Sequence, residues 1–123
     1  MNGDQIFLYG LLAVMVLLYL RKKFQARGIP NYSGAQVKER VKNGSVLLDV
    51  RTAAERSSRS LPKSFHIPLH ELGTRMKELE RHRGAEIICY CASGSRSVSA
   101  AVKLKKAGFT AGNLEGGIGS WSL

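Results

Sequence analysis

Hydrophobic and polar positions follow three patterns along the chain, and each pattern predicts a different kind of element. Residues 6–20 carry no charge and have no polar face, which is typical of a helix surrounded by lipid. Short apolar runs at 46–50 and 87–91 have the length of strands buried on both faces. Apolar residues at helical spacing occupy 97–107, with basic residues late in the segment and Gly108 as its end.

The folded part begins with a helix, because Ser33 and Gln36 form a capping box and Asn43-Gly44 is a helix end. Alternation of helices with short apolar strands indicates an α/β fold, with a small parallel sheet flanked by helices on both faces. Weaker patterns add further elements, namely a short helix at 53–58, a brief strand at 65–67, a helix at 69–81 and a last strand near 110–114.

The chain therefore divides into a membrane anchor at 1–23, with a helix over about 5–22, a linker at 24–32 and a folded domain at 33–123. The 15 residues of 6–20 span about 22 Å as a helix, and flanking residues extend them toward the bilayer thickness of about 30 Å. A cleaved signal peptide is the alternative, but Asp4 precedes the run and Tyr19-Leu20-Arg21 follows it. The positive-inside rule predicts a single-pass membrane protein whose domain faces the cytoplasm.

The chain is strongly basic, with 19 Lys and Arg residues against 9 Asp and Glu residues. Such a field attracts anions, and Arg21, Lys22, Lys23 and Arg27 are placed to meet an anionic leaflet. Nucleic acid is not expected as a partner, because no basic stripe with interleaved aromatics is present. Two cysteines, Cys89 and Cys91, are too close along one strand for an ordinary disulfide and fit a reducing compartment.

The candidate chemistry lies in the loop at 91–97, where a predicted strand turns into a helix. Its small residues let several backbone N–H groups point inward as an anion cradle. A thiol near a helix N-terminus and the guanidinium of Arg96 should have a lowered pKa, so Cys91 is the expected nucleophile. The residues expected to form the cradle and bind the anion are Ala92, Ser93, Gly94, Ser95, Arg96 and Ser97.

Three motifs in order along the chain resemble the rhodanese homology domain. They are Leu-Asp-Val-Arg at 48–51 with Glu55, Cys-x-x-Gly-x-Arg at 91–96, and Glu-Gly-Gly-Ile at 115–118 followed by Trp121. The resemblance covers residues 33–121 and implies a single-domain sulfurtransferase in which Cys91 carries sulfur as a persulfide. It implies no metal or organic cofactor. The implied partners are a small sulfur-containing anion or a protein persulfide as donor, with a protein acceptor also compatible.

Two other functions stay open at this point. The altered segment Arg59-Ser60-Leu61-Pro62-Lys63-Ser64 stands where rhodanese domains usually carry Gly-His-Ile-Pro-Gly-Ala, which motivates a non-catalytic module that recruits a partner to the membrane. Phosphatases and arsenate reductases that resemble rhodaneses use Cys-x5-Arg, whereas residues 91–96 form Cys-x4-Arg, so the shorter loop disfavours that activity.

Several polar residues have structural and functional interpretations. Asp49 and Arg51 are candidates for orienting the loop or meeting substrate, and the alternative is a structural ion pair. Cys89 should point to the same face as Cys91 and is interpreted as a small core residue. His66 and His70 flank Pro68, which argues against a shared helix face and a zinc site.

Overall fold

A computed structural model of the protein describes residues 2–121. Residue 1 of the predicted anchor and residues 122–123 of the predicted domain lie outside the described residues. Tight 3-10 turns occupy Leu69–Glu71, Met76–His82 and Gly117–Ser120. The helices and strands, in chain order, are α1 (Gly3–Ala26), β1 (Asn31–Tyr32), α2 (Gly34–Lys42), β2 (Val46–Asp49), α3 (Ala53–Ser58), β3 (Phe65–His66), α4 (Leu72–Arg75), β4 (Glu86–Tyr90), α5 (Ser95–Lys106) and β5 (Thr110–Leu114).

The strands form one parallel sheet in the order β1-β5-β4-β2-β3. This confirms the predicted parallel α/β fold. Because every strand runs the same way, all five carboxyl ends meet at one edge of the sheet, where ligands of such folds bind. The loop after β4 and the end of β2 both lie at this carboxyl edge.

Side chains of the sheet alternate between two apolar clusters. On β4, Ile87 and Cys89 join a cluster that includes Leu104 of α5, whereas Ile88 and Tyr90 join a cluster that includes Val37 of α2. This two-residue period is the pleat of a strand buried on both faces. The predicted coverage of both faces by helices is therefore confirmed.

Helix α1 is longer than predicted and has no buried residue. Asn2 and Gln5 form a capping box at its start, and it continues to Ala26, well into the segment predicted as a linker. Residues 21–26 are good helix formers with no breaker before Gly28, so nothing stops the helix at the end of the apolar run. Among residues 2–121, α1 is the one helix long and apolar enough to cross a membrane.

The rest of the predicted linker is a reversal of the chain that joins α1 to the sheet. Ile29 is buried in the core, and the N–H of Asn113 donates to the carbonyl of Pro30 at 2.9 Å. Strand β1 then pairs with β5, with Asn31 opposite Asn113. A two-residue strand is too short to show a pattern in the sequence. The end of α1 and the strand β1 thus occupy the two ends of the segment predicted as a linker over 24–32.

The prediction of one continuous helix over 69–81 was wrong, because the structure has three short helical segments there. These are a 3-10 turn, the four-residue helix α4 and a second 3-10 turn. A 3-10 helix has three residues per turn, so pairs three apart, such as Leu69 with Leu72 and Met76 with Leu79, still share a face. The predicted apolar contacts survive, because Leu72 and Leu79 are buried and Met76 packs against the same cluster.

Candidate active site

The loop at 91–97, here the Cys91 loop, curls around the sulfur of Cys91. The N–H of Gly94 donates to Cys91 Sγ at 3.0 Å, and Ser97 Oγ lies 3.4 Å from the same atom. Gly94 has φ +108°, a left-handed conformation that glycine adopts without steric cost. The loop can therefore close on itself and direct its donors at the thiol.

These donors favour the ionised form of Cys91. Burial of the thiol opposes ionisation, but hydrogen bonds from the Ser97 hydroxyl and from backbone N–H groups of Ser97, Gly94 and Ser93 outweigh it and hold the pKa of Cys91 below its usual value. Helix α5 begins at Ser95, so its N-terminus adds a favourable dipole. The surroundings of Cys91 thus favour its thiolate form.

Ser97 belongs to a chain of hydrogen bonds that reaches the edge of the sheet. Its hydroxyl donates to Asn113 Oδ1 at 2.5 Å, and Asn113 Nδ2 donates to Asn31 Oδ1 at 2.9 Å. A hydroxyl has one hydrogen to donate. Ser97 therefore donates to Asn113 beside a thiol and can turn that hydrogen to the sulfur beside a thiolate.

Arg96 is paired with Glu55 of α3. Arg96 Nη1 and Nη2 donate to the two Glu55 carboxylate oxygens at 2.7 and 2.8 Å, and both side chains are about one-third exposed. The Arg96 guanidinium lowers the pKa of Glu55 to about 2, and hydrogen bonds from Thr52 assist. The pKa of Arg96 is raised, chiefly by its hydrogen bonds to Glu55 and in smaller part by Cys91.

The Gly116-Gly117-Ile118 segment supports the start of the loop from the other side. The N–H of Ile118 donates to the carbonyl of Cys91 at 2.9 Å. A Cβ at Gly117 would lie 2.5 Å from Ala92 C, Ala92 O and Cys91 O, and Gly117 has φ +66°. Position 117 therefore admits no side chain unless the loop moves.

Cys91 itself is buried, at 0% exposure. Ala92, Ser93 and Ser95 at the rim are exposed to solvent. A cleft of about 420 Å³ adjoins the rim and is lined by apolar and cationic groups, namely Val50, Thr52, Pro68, Leu69, His70, Arg96 and Lys103. A small anion fits the chemistry of such a cleft.

Comparison with known proteins gives the family. Residues 33–123 match the Rhodanese-like domain. The chain belongs to the rhodanese family. A sulfurtransferase of Allochromatium vinosum is 36% identical over 78 residues, which cover 63% of this chain and 71% of the relative. A thiosulfate sulfurtransferase of Pseudomonas syringae pv. syringae is 32% identical over 79 residues, which cover 63% and 73%.

A solved structure of a rhodanese-related protein from Thermoplasma volcanium has a similar fold. It superposes with a TM-score of 0.69 at 35% sequence identity, and the match covers 75% of this chain and 89% of that one. The rhodanese fold of the domain is thus shown by sequence and by structure together.

Asp49 and Arg51 form a buried ion pair beneath the rhodanese site. Arg51 donates to the carboxylate through its backbone N–H at 2.9 Å and through Nε and Nη2 at 3.1 and 3.0 Å. Burial opposes ionisation of Asp49, but the bonds from Arg51 hold its pKa below the usual range. Exposures of 0% for Asp49 and 5% for Arg51 favour the structural ion pair over contact with substrate.

The same network fixes the altered segment at 59–64. Arg51 Nη2 donates to the carbonyl of Arg59, and the N–H of Leu61 donates to the hydroxyl of Tyr90 at 3.1 Å. Tyr90 in turn donates to Asp49 at 3.0 Å. Hydrogen bonds to the ends of β2 and β4 thus hold this segment, although it lacks the usual glycines of rhodanese domains.

The remaining candidates fall outside the site. Cys89 is fully buried in the same cluster as Cys91, and burial raises its pKa, so it is the expected core residue. His66 Nε2 lies 2.7 Å from the carbonyl of Arg51, while His70 is exposed beside Glu71. Within residues 2–121, no group of three or more His, Cys, Asp or Glu side chains is placed to hold a metal ion.

Sequence reasoning missed Asn31 and Asn113, which complete the hydrogen-bond chain behind Ser97. One signal was available, because asparagine is depleted in strands and Asn113 interrupts the apolar run of β5. Glu55 was noted only as part of a motif, and its pairing with Arg96 joins residues 41 positions apart.

Proposed function

We propose that this rhodanese is a sulfurtransferase that carries sulfane sulfur on Cys91. The thiolate attacks the outer sulfur of a donor such as thiosulfate, a polysulfide or a persulfide. The new S–S bond forms as the donor's own S–S bond breaks, and its electron pair leaves with sulfite or a thiolate. An acceptor thiolate or cyanide then takes the outer sulfur, and the bond electrons return to Cys91.

The observation that carries this proposal is the ring of hydrogen bonds around Cys91 Sγ. Gly94 N–H at 3.0 Å and the Ser97 hydroxyl at 3.4 Å are preorganised donors for a negatively charged sulfur. The persulfide is also an anion, so the same donors can hold the intermediate. The name of the relative from Pseudomonas syringae supports thiosulfate as one donor.

Mass spectrometry tests the proposal directly. Incubation with thiosulfate or polysulfide should add one sulfur, about 32 Da, to the chain, and Cys91→Ser should abolish the addition. Cys89→Ala is the matched control, because it removes the buried thiol from the same strand and should leave the addition intact. An unmodified mass with every donor would overturn the proposal.

The phosphatase alternative is tested by phosphate release from a chromogenic phosphate ester. Four residues separate Cys91 from Arg96, one fewer than in the Cys-x5-Arg loops that enclose a tetrahedral oxyanion. We expect no release above the Cys91→Ser background. Release that depends on Cys91 would favour a phosphatase or arsenate reductase.

The non-catalytic alternative makes a different prediction. A module that recruits a partner to the membrane would bind that partner equally well with Cys91→Ser. Arg51 and Arg56 donate hydrogen bonds to the segment at 59–64, and the Tyr90 hydroxyl accepts one from it, so its departure from the family sequence leaves the site assembled. We therefore favour catalysis.

The anchor at 1–23 and the domain at 33–123 define the proposed placement in the cell. Helix α1 is long and apolar enough to cross a membrane, and we propose that it does so once, with the domain on the cytoplasmic side as the positive-inside rule predicts. Protease added to sealed vesicles of known orientation should digest the domain only when the cytoplasmic face is outside. Digestion from the opposite face would reverse the assignment.

A further inference from the structure

The path of the chain after α1 determines which end of the domain lies near the membrane. The chain turns at residues 27–29, and β1 then pairs with β5. All strands are parallel to β1. Helix α5 follows β4 and so begins at the carboxyl edge of the sheet, and its first residue, Ser95, lines the same cleft as Tyr19 of α1. The carboxyl edge therefore lies toward the apolar part of α1.

Contacts between α1 and α5 support this direction. Lys105, near the end of α5, donates to the carbonyl of Gly28 at 3.2 Å. Ser95, the first residue of α5, lines the same cleft as Tyr19. The ten steps from Ser95 to Lys105 rise about 15 Å in a helix, close to the rise from Tyr19 to Gly28. The two helices run side by side in the same direction.

The Cys91 loop thus lies level with Tyr19, where the apolar run of α1 ends. Tyrosine is common at the boundary between hydrocarbon and headgroups. If α1 spans a bilayer, the headgroup layer meets the carboxyl edge of the sheet.

The cleft between α1 and α5 is cationic at its rim. It has a volume of about 560 Å³, and its walls include Tyr19, Ala26, Val98 and Val102. Four lysines line it, and we call them the lysine surface: Lys22, Lys23, Lys103 and Lys106. No Asp or Glu occurs at 5–38 or at 87–114, so neither helix supplies a neutralising carboxylate. Of the salt bridges in residues 2–121, none involves this surface.

We propose that the lysine surface binds the headgroups of anionic phospholipids and thereby seats the domain on the bilayer with the Cys91 loop facing the lipid. The inference rests on the proposed membrane anchor but not on sulfur transfer. Its chemical basis is charge complementarity beside a membrane span, together with apolar walls that suit the glycerol and upper acyl region. A donor or acceptor then reaches Cys91 along the membrane surface.

Hydrogen exchange of the full chain in lipid nanodiscs tests the proposal. Amides of residues 92–99 should exchange more slowly in discs that contain phosphatidylglycerol than in discs of phosphatidylcholine alone. Each lysine near an anionic surface contributes roughly fivefold to association, so Lys22→Glu with Lys23→Glu, the pair of the lysine surface nearest Tyr19, should remove most of the protection. Lys42→Glu with Lys77→Glu, at exposed positions outside the cleft, is the control and should retain it.

Soluble glycerol phosphate should give no protection, since the proposed ligand is the bilayer and not a free anion. Equal exchange in the two kinds of disc would overturn the inference and leave the anchor in place. Protection that survives in Lys22→Glu with Lys23→Glu would do the same. Failure of the chain to insert into discs would overturn the anchor and this inference together. The comparison of the two kinds of disc uses the unaltered chain, so it tests the inference even if a lysine variant misfolds.

Discussion

At the scale of single residues, two thiols on one face of β4 differ in their ionisation. Cys89 and Cys91 are both fully buried and share an apolar cluster. Burial, assisted by the charge of Cys91, raises the pKa of Cys89, whereas the donors of the loop reverse the effect of burial at Cys91. The difference in ionisation therefore comes from hydrogen-bond donors and not from exposure.

Replacement of Ser97 with alanine should raise the pKa of Cys91. A hydrogen bond to a charged group contributes about 1.5–3 kcal/mol, so the thiolate loses a donor and alkylation by iodoacetamide near neutral pH should slow by roughly tenfold. The midpoint of the alkylation rate against pH should move upward. The rate at high pH, where the thiol is fully ionised, should change little.

Ser99→Ala is the control for that variant, because Ser99 lies on the same helix and makes none of the described bonds to Cys91. Its alkylation profile should match that of the unaltered chain. An unchanged midpoint in Ser97→Ala would show that the backbone N–H groups alone ionise Cys91.

Site residues could be predicted from the sequence where they lie close together along the chain. Cys91 and the small residues after it lie within seven positions, so their spacing revealed the loop. The partners Asn113 and Glu55 are 16 and 41 positions from the residues they bind. Only the order of strands in the sheet brings them together, and a single sequence does not reveal that order.

At the scale of elements, Gly117→Ala should disable the site without unfolding the domain. The new Cβ would meet backbone atoms of Cys91 and Ala92 at 2.5 Å, so the loop must shift. Misplacement of a reacting group by about 1 Å can cost on the order of 100-fold in rate. Sulfur transfer from thiosulfate should fall by that order, while circular dichroism stays unchanged.

Gly119→Ala is the matched control on the same short turn. A Cβ there has nothing within 4 Å, so the variant should retain full transfer. Equal activity of the two variants would contradict the supporting role of Gly117.

The Glu55–Arg96 pair links α3 to α5 and should make stability depend on acid. The pKa of Glu55 is lowered from 4.5 to about 2 in the folded chain. The pair therefore stabilises the fold fully above pH 4.5 and loses its contribution as pH falls toward 2. Glu55→Gln should flatten the pH dependence of the unfolding free energy in that window, as measured with urea in detergent.

Glu39→Gln, at an exposed position on α2, serves as the control. It should leave the slope between pH 4.5 and 2 unchanged. A slope that is also unchanged in Glu55→Gln would show that solvent screens the pair completely.

Elements were predictable where apolar spacing and caps agree. The capping box of Ser33 and Gln36 and the buried runs of β2 and β4 were located from sequence. The segment at 69–82 was misassigned because apolar residues three apart fit both α and 3-10 geometry. Strand β1 was missed because its two residues owe their conformation to pairing with β5.

At the scale of the whole molecule, a charge in the middle of α1 should release the protein from membranes. A lysine at the centre of a spanning helix costs about 2.5–3.5 kcal/mol. Leu12→Lys should therefore be extracted by alkaline carbonate, whereas Leu12→Ala should stay in the membrane pellet. Both should still accept sulfur on Cys91, because α1 has no buried residue.

The orientation of the domain relative to its anchor was not predictable from sequence. It depends on the reversal at 27–30 and on the pairing of Asn31 with Asn113. The apolar run at 6–20 indicated a span, but the position of the Cys91 loop relative to that span follows only from the parallel sheet.

The burial of Cys89 has a consequence for how sulfur leaves the protein. The chain has two cysteines, and one is protonated inside the core. A loaded Cys91 would thus find no second thiol in its own chain with which to close a disulfide and expel sulfide. The molecule would act as a one-atom store that empties only on collision with an outside acceptor, so the abundance of that acceptor would set how long each sulfur stays.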